Sequence, residues 1–434
     1  MNERRYALII LDGLADAPGP SGAPPTPLES ARTPNLDRLA AEGETGLLTI
    51  IGPGVAPESD AGVLALLGYD PATDSPGRGV LEALGAEVPL APGDVALRLN
   101  FATADGAGEI VDSRVGRNLS TREAAELARS VTAADLLAPE GIRAEVRPTV
   151  GHRGVLWLHP VEGGRLSGAI SNADPFYERV GGMGHARRVE HPRPRPVVPE
   201  AATPEAERTA RAVNLFLERA RPVLAAHGVN ARRALAGRRI ANDLLLRNAG
   251  GIPDRPPAAF PERYHLSAAA VTEMPVERGI ARLFGLADRF VGPMGPDPAA
   301  ALPERARATR DALAESAFVY VHLKGPDEPG HDGDAERKRA IIEELDRSFF
   351  GPFLAGLDRA TLRIAVTADH ATPAARKGHS DDPVPLLLWG AGVPSEGRRG
   401  AFSERSCAEG RLGTRSAREL LPILLAPGDP ATPA

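Results

Sequence analysis

The sequence predicts an α/β fold: a mostly parallel sheet flanked by helices, with a smaller α/β domain inserted into it. Continuous apolar runs at residues 6–11, 317–323, 362–367 and 384–389 are typical of strands buried on both faces. Helical patterns alternate with these runs, as they do in parallel α/β sheets. The chain has 434 residues, which exceeds the size at which one hydrophobic core usually stops growing.

The N-terminal part is predicted to form a strand, a long loop and two helices. The first strand, residues 6–11, ends at the turn pair formed by Asp12 and Gly13. A helix is expected after Thr33, because a proline follows at the first helical position. Ser59 comes directly before a second apolar helical stretch, so we expect it near a helix N-terminus, where an anion is best held.

The middle of the chain has a different pattern and predicts the inserted domain. We place this domain at residues 87–261, within a core formed by residues 1–86 and 262–434. Inside it lie strand-like residues 95–102 and 155–158, a helical stretch at 121–130 and a connection rich in proline and arginine at 191–204. A strand at residues 264–271 and a helix at 276–286 would return the chain to the core.

Composition excludes several classes of protein. The formal net charge of -6 argues against a broad nucleic-acid surface, which needs clustered basic residues. We find no apolar stretch of about 18 residues, so no membrane span is expected. The one cysteine, Cys407, excludes a disulfide framework and a thiolate metal site. We therefore expect a cytoplasmic protein, and the composition leaves a homo-oligomer open.

Seven residues that could bind metals form the main functional pattern. Carboxylates, imidazoles and a hydroxyl are ligands that suit two divalent ions, with Mn²⁺ favoured and Zn²⁺ or Mg²⁺ as alternatives. Taken singly, each residue also fits a turn or a helix cap. Together they follow strand ends or begin a helix, at the edge of the sheet where ligands bind. The set divides into Asp327, His331 and His379 for one ion and Asp12, Ser59, Asp369 and His370 for the other.

Several longer motifs extend this pattern, among them PESDAGVLALLGYDP, GRGVLEALG, VDSRVGR, HLKGPDEPGHDGD, VTADHATP and GHSDDPVPLLLWG. In these motifs and their order the chain resembles the archaeal-type 2,3-bisphosphoglycerate-independent (cofactor-independent) phosphoglycerate mutases of the alkaline phosphatase superfamily. The resemblance implies an alkaline phosphatase-like core and an isomerase of glycolysis and gluconeogenesis that needs no 2,3-bisphosphoglycerate. It also implies that Ser59 becomes a phosphoserine while 3-phosphoglycerate and 2-phosphoglycerate interconvert.

The resemblance also implies residues that contact the small phosphorylated acid. Arginine binds carboxylate and phosphate through two parallel hydrogen bonds. The inserted domain, as substrate-binding cap, would close and exclude water from the phosphoserine. His152 and Asp174 are the candidates for handling the glycerate hydroxyl protons. The substrate-binding candidates are Arg78, Arg114, Arg117, Arg247 and Lys324.

Two departures from the family pattern leave alternatives open. Asn172 and Ala173 stand where relatives usually carry a second acid, and Pro326 and Pro329 flank metal-ligand candidates. The alternative function is a related phosphomutase, phosphotransferase or phosphohydrolase that acts on another small phosphate or phosphonate with the same phosphoserine chemistry. A metal-dependent binding protein without activity is the third hypothesis, and retention of all seven ligand-type residues counts against it.

Overall fold

The structure, a computed structural model, describes residues 4–20, 22–161, 163–180, 183–187, 189–395, 397 and 400–426. It divides into two compact units. Unit 1 consists of Met1–Asp74 and Ala258–Ala434, and unit 2 consists of Ser75–Pro257. Among the helices of these described ranges, none is long and apolar enough to cross a membrane.

The first segment of unit 1 contains the predicted strand and helices. The apolar run at residues 6–11 lies in a strand that is fully buried from Ala7 to Leu11. The N-cap of the third helix is Glu58, so Ser59 is the first helical residue. The elements are β1 (Arg5–Leu11), α1 (Pro27–Ser30), α2 (Pro34–Glu42), β2 (Glu44–Thr49) and α3 (Ser59–Leu66).

Unit 2 is built from an antiparallel sheet and helices. Its elements are α4 (Arg78–Gly85), β3 (Val95–Ala104), β4 (Ile110–Asp112), α5 (Thr121–Ala133), β5 (Ile142–Pro148), β6 (Arg153–Pro160), β7 (Tyr177–Val180), β8 (Met183–Ala186), α6 (Pro204–Ala225), α7 (Gly228–Leu235) and β9 (Asp243–Gly250). The sheet has the order β4-β3-β6-β5, with β9 pairing to β3. Its pairings are antiparallel, as short connections such as residues 149–152 between β5 and β6 require.

The two faces of this sheet are covered differently. Leu99, Leu127, Leu156 and Phe216 belong to the main core of unit 2, where the sheet packs on α5 and α6. Helix α4 packs on β3 and β9 on the other face. This contact places α4 in unit 2, whereas the sequence-based boundary at residue 86 grouped it with the core.

The second segment of unit 1 completes the larger sheet. Its elements are α8 (Phe260–Tyr264), β10 (Ala268–Thr272), α9 (Pro275–Leu283), β11 (Ala287–Phe290), α10 (Pro298–Glu315), β12 (Phe318–Leu323), α11 (Asp327–Asp332), α12 (Ala335–Leu345), α13 (Gly351–Leu354), β13 (Leu362–Thr367), β14 (Val384–Gly390), α14 (Glu404–Ala408), β15 (Gly413–Ser416) and α15 (Leu420–Leu425). The predicted strands at 317–323, 362–367 and 384–389 are thus confirmed.

The sheet of unit 1 has eight strands in the described part of the chain, in the order β11-β10-β12-β1-β13-β14-β2-β15. Five of its pairings are parallel, which confirms the predicted mostly parallel α/β class. β14 runs antiparallel to both neighbours. The connection from β13 to β14 carries no helix that could cross the sheet, so the chain returns in the opposite direction.

Candidate functional site

The first group of candidate ligands lies where β1 and β13 end. Asp12 directly follows β1, and Asp369 and His370 follow β13, which pairs parallel to β1. His370 Nε2 lies 3.4 Å from both Asp12 Oδ1 and Asp369 Oδ2. All three side chains are buried, and each offers a ligand atom within 4.8 Å of the others. The three could therefore hold one metal ion.

The turn at Gly13 packs closely against Asp327 of the second group and against Thr372. Gly13 has a φ of +60°, and a Cβ there would lie 2.7 Å from Thr372 Oγ1 and 2.8 Å from Asp327 Cβ. Its backbone N–H donates to Asp369 Oδ1 at 3.2 Å. Only glycine fits this conformation and this close approach.

Asp327, His331 and His379 form the second group. Asp327 Oδ1 lies 3.4 Å from the Nε2 atoms of both histidines, and these two Nε2 atoms are 3.1 Å apart. His379 Nδ1 donates to the Pro57 carbonyl at 2.7 Å, which turns Nε2 toward Asp327. Burial lowers the pKa of His379, but Asp327 and Glu58 raise it overall to about 9. This group could hold a second ion, and it is more exposed than the first.

Thr372 connects the two groups. Its hydroxyl donates to Asp327 Oδ1 at 2.8 Å and lies 3.0 Å from His370 Nδ1. The ring of His370 also stacks on that of His379, with centroids 3.7 Å apart. The two candidate metal groups are therefore neighbours.

Ser59 lies beside the first group, 8% exposed. Its Oγ is 3.3 Å from His370 Nε2. One turn further along α3, a Cβ on Gly62 would lie 2.2 Å from the Asp369 carbonyl oxygen. The glycine thus allows α3 to approach the residues after β13 closely enough to place Ser59 at the metal ligands.

Three charged or titratable residues lie behind the first group. Lys324 Nζ is 3.0 Å from Asp12 Oδ2 and 2.7 Å from Glu277 Oε1. His322 lies between Glu277 and Asp369, 3.3 Å from a carboxylate oxygen of each. Burial would raise the pKa of Asp12, but Lys324 and the nearby histidines hold it well below its usual range. Asp12 is therefore ionised and ready to bind a cation.

The donor set fits divalent cations. Carboxylate oxygens and imidazole nitrogens suit Mn²⁺, Zn²⁺ and, for the oxygens, Mg²⁺. Among the described residues, the buried Asp12 Oδ1 accepts no hydrogen bond. A buried carboxylate oxygen without a donor is costly, and a bound cation would compensate it.

In unit 2 the structure brings several arginines around one carboxylate. Glu82 Oε1 lies 3.4 Å from Arg78 Nε and 3.2 Å from Arg98 Nε. Arg98 on β3 stands directly opposite Arg247 on β9, and like charges in this position are destabilising unless an anion compensates them. Burial lowers the pKa of Arg98 to about 9, and the neighbouring arginines Arg78, Arg247 and Arg153 add to this. The cluster is suited to bind an anion.

Arg247 and Asp174 are paired inside this unit. Arg247 Nη1 donates to Asp174 Oδ2 at 2.6 Å, and both side chains are at most 3% exposed. The guanidinium carbon of Arg247 also lies 4.0 Å from the centre of the Tyr177 ring. Asp174 is thus held as an ion-pair partner next to the arginine cluster.

Of the other candidates in unit 2, His152 and Arg114 lie in turns and Arg117 ends a short 3-10 helix. His152 precedes β6, and burial together with Arg153 and Arg114 lowers its pKa to about 3. Arg114 and Arg117 are exposed beside the buried Val115. Val115 and Arg117 both have φ +52°, a left-handed conformation that is rare for a β-branched residue such as Val115. Of the predicted substrate-binding residues, these two, Arg78 and Arg247 belong to unit 2, and Lys324 belongs to unit 1.

Sequence reasoning missed the residues that support the site. His322 and Arg98 each interrupt an apolar strand run, FVYVHL and VALRLNFATA, and this was the signal available for them. Glu277 lies on the buried face of α9 with Val276 and Ile280. A charged residue at an apolar position of a helix is a comparable signal. Its partners, however, come from other parts of the chain.

Comparison with known proteins identifies the family. The family model of 2,3-bisphosphoglycerate-independent phosphoglycerate mutase matches residues 40–230. Proteins of that name from Aeropyrum pernix and Methanopyrus kandleri are 46% and 40% identical, over 94% and 97% of this chain and 95% and 96% of theirs.

Solved structures agree with these matches. The cofactor-independent phosphoglycerate mutase from Thermoplasma acidophilum has a TM-score of 0.61 and 32% identity, covering 97% of this chain and 99% of its own. A protein from Pyrococcus horikoshii has a TM-score of 0.76 and 30% identity, covering 98% and 97%. The chain belongs to the family of 2,3-bisphosphoglycerate-independent phosphoglycerate mutases.

Proposed function

We propose that this chain interconverts 3-phosphoglycerate and 2-phosphoglycerate through a phosphoserine at Ser59. The observation that carries the proposal is the position of the Ser59 hydroxyl, 3.3 Å from His370 Nε2 and at the N-terminus of α3. A helix N-terminus favours the negative charge that a phosphoryl group brings. The relatives that match over nearly the whole chain carry the name of this activity.

Two divalent ions would complete the site. Asp12, Asp369 and His370, with Ser59, would hold one, and a second would be bound by Asp327, His331 and His379. When bound, they supply positive charge that lowers the pKa of the Ser59 hydroxyl and offsets the charge of the phosphoryl oxygens. We infer Mn²⁺ as the preferred ion, because each group combines imidazole with carboxylate.

The reaction transfers one phosphoryl group twice. Ser59 Oγ forms a bond to phosphorus as the bond to O3 of 3-phosphoglycerate breaks; Oγ gives up its proton and O3 gains one, leaving glycerate. O2 of glycerate then attacks the same phosphorus and loses its proton, while the bond to Ser59 Oγ breaks and Oγ is protonated again. Atoms and charges balance, and no second phosphate donor is required.

The arginines of unit 2 are the proposed substrate-binding residues. Arg78, Arg247, Arg114 and Arg117 would bind the carboxylate and phosphate, and we add Arg98 because of its buried, charged surroundings. Guanidinium groups bind such anions through paired hydrogen bonds. Lys324, which is 22% exposed beside Asp12, would contact the phosphoryl group.

His152 and Asp174 stay the proposed proton-handling groups. With a pKa lowered to about 3, His152 is neutral at pH 7 and becomes a useful base only when bound anions offset the arginines around it. Asp174, in contrast, is bound by Arg247. We therefore favour His152 as the residue that exchanges a proton with the glycerate hydroxyls.

The test is an enolase-coupled assay of Mn²⁺-loaded protein without 2,3-bisphosphoglycerate. We expect 2-phosphoglycerate to form and a phosphate on Ser59 to be detected by mass spectrometry after rapid quenching. Ser59→Ala should abolish both signals. Ser403→Ala is the matched control, because Ser403 is also a buried serine at a helix N-terminus of unit 1, and it should retain activity. Full turnover by Ser59→Ala would disprove the nucleophile assignment.

The alternative is a relative that acts on another small phosphate or phosphonate. The feature behind it is Asn172, where the family resemblance leads us to expect an acid. The Asn172 side chain accepts a hydrogen bond from the Asn248 backbone N–H at 2.9 Å. Phosphorus NMR of phosphorylated three-carbon acids separates the two functions, since a hydrolase releases phosphate faster than it forms an isomer. We infer that the enzyme works in the cytoplasm, where such acids occur as metabolites.

A further inference from the structure

Glu277 on α9 contacts two residues of the neighbouring strand end. Its Oε1 lies 2.7 Å from Lys324 Nζ and 3.3 Å from His322 Nδ1. The carboxylate is 1% exposed and His322 is fully buried. Neither Glu277 nor His322 belongs to the seven metal-ligand candidates.

Each of these two partners reaches a different carboxylate of the first metal group. Lys324 Nζ lies 3.0 Å from Asp12 Oδ2, and His322 Nε2 lies 3.3 Å from Asp369 Oδ2. One buried carboxylate is therefore connected to both acidic ligands by two separate paths. Asp12 and Asp369 follow parallel strands, whereas Glu277 lies on a helix. Glu277 therefore supports both ligands from outside the sheet.

The charge of Glu277 also matters for a cation. Lys324 places an ammonium group against Asp12, where it competes with a metal ion for the same carboxylate. Glu277 offsets that ammonium charge at 2.7 Å. Without it, the surroundings of Asp12 and Asp369 would be less negative by one charge, in a buried region where Coulomb interactions are strong.

We propose that Glu277 is a positioning residue that holds Asp12 and Asp369 for a divalent ion, through Lys324 and His322. The proposal rests on the proposed two-metal site and adds to it a carboxylate that touches neither ion nor substrate. Residues that orient metal ligands typically change metal affinity by about 10- to 100-fold when replaced. The effect should be confined to the ion held by Asp12, Asp369 and His370.

The experiment measures Mn²⁺ binding to the chelator-treated full chain by calorimetry and by electron paramagnetic resonance. Asp369→Asn and His331→Gln first identify which of two binding phases belongs to which group. We expect Glu277→Gln to weaken the phase that Asp369→Asn removes by about 10- to 100-fold and to leave the other phase unchanged. An unchanged isotherm for Glu277→Gln would overturn the proposal.

Glu273→Gln is the matched control. Glu273 is equally buried, at 1% exposed, but pairs with Arg305 at 2.9 Å and acts on Lys324 and His322 only through its charge, so this variant should weaken Mn²⁺ binding far less than Glu277→Gln does. Equal losses in Glu273→Gln and Glu277→Gln would refute a specific role. If Asp369→Asn and His331→Gln themselves leave Mn²⁺ binding unchanged, the proposed metal site fails rather than the role of Glu277.

A second variant serves if Glu277→Gln does not fold. Glu277→Gln with Lys324→Met removes both charges of the buried pair and leaves no unpaired ammonium. Lys324→Met alone is the reference for this variant, because both lack the ammonium that competes for Asp12. Relative to Lys324→Met, the double variant also loses the Glu277 charge and its contact with His322, so it should bind the ion of this phase more weakly. Equal affinity of the double variant and Lys324→Met would overturn the proposal.

Discussion

The buried pair of Asp174 and Arg247 allows a quantitative test of how unit 2 holds its arginines. Asp174→Asn keeps the shape of the side chain and an acceptor for the Phe176 N–H, which donates to Asp174 Oδ1 at 3.0 Å. The variant therefore removes the negative charge and changes little else in the side chain. Arg247 is 3% exposed and would keep its charge without this partner.

The expected loss follows from that burial. Removing one partner of a buried ion pair typically costs about 3–5 kcal/mol. Glu82 also acts electrostatically on Arg247 and would offset part of the loss, so we expect about 3 kcal/mol, the lower end of that range. Replacing both residues, with Asp174→Asn and Arg247→Met, should cost clearly less than the sum of the single variants, giving a coupling energy of about 2 kcal/mol.

The assay is urea unfolding followed by tryptophan fluorescence. The chain has two tryptophans, Trp157 in unit 2 and Trp389 in unit 1, so a Trp389→Phe background reports on unit 2 alone. Asp243→Asn is the control: its partner Arg221 is 44% exposed and stays hydrated, which limits the loss to about 1 kcal/mol. The prediction would be refuted if the losses of unfolding free energy in the two single variants simply added up in the double variant. Equal losses for Asp174→Asn and Asp243→Asn would refute it as well.

Three further predictions concern unit 1. Burial raises the pKa of Glu404 from 4.5 to about 7, so the folded chain binds the proton more tightly. The free energy of unfolding, measured with urea at a series of pH values, should therefore fall by about 3 kcal/mol between pH 4.5 and pH 8. The Glu404→Gln variant, measured in the same way, is the reference for this fall. In Gly62→Ala, the new Cβ should push α3 away from the Asp369 carbonyl and lower kcat at least 10-fold. Gly54 is a surface glycine with positive φ, so the control variant Gly54→Ala should affect stability only. Removal of metal by a chelator should lower the melting temperature. Mn²⁺ at about 100 times its Kd should then restore about 2.7 kcal/mol of the free energy of unfolding. An unchanged melting curve would contradict metal binding by the folded chain.

The metal-ligand candidates could be predicted because they follow a rule of chain geometry. Apolar runs define strands, and parallel strands bring their carboxyl ends to one edge of the sheet. Asp12 and Asp369 follow adjacent strands, so their proximity is a consequence of the strand order. The position of His379 beside Asp327 could not be predicted from strand ends, because it depends on a loop in which His379 is held by the Pro57 carbonyl.

The supporting residues could not be predicted because their partners come from distant parts of the sequence. Glu277 stands in a helix whose spacing indicates only a buried face. The resemblance groups Lys324 with the substrate-binding arginines, and the structure places its ammonium against Asp12. Charges in a folded core pair according to tertiary packing, which hydrophobic periodicity does not encode.

The two metal groups differ in how strongly they would retain an ion. Asp369 and His370 are fully buried, whereas the side chain of His331 is 40% exposed. Loss of an ion from the buried group leaves two carboxylates in a region of low dielectric constant, while water can replace a ligand at His331. The ion next to Ser59 should therefore exchange more slowly than its neighbour. In the proposed reaction this order would keep the positive charge beside Ser59 in place between the two transfers.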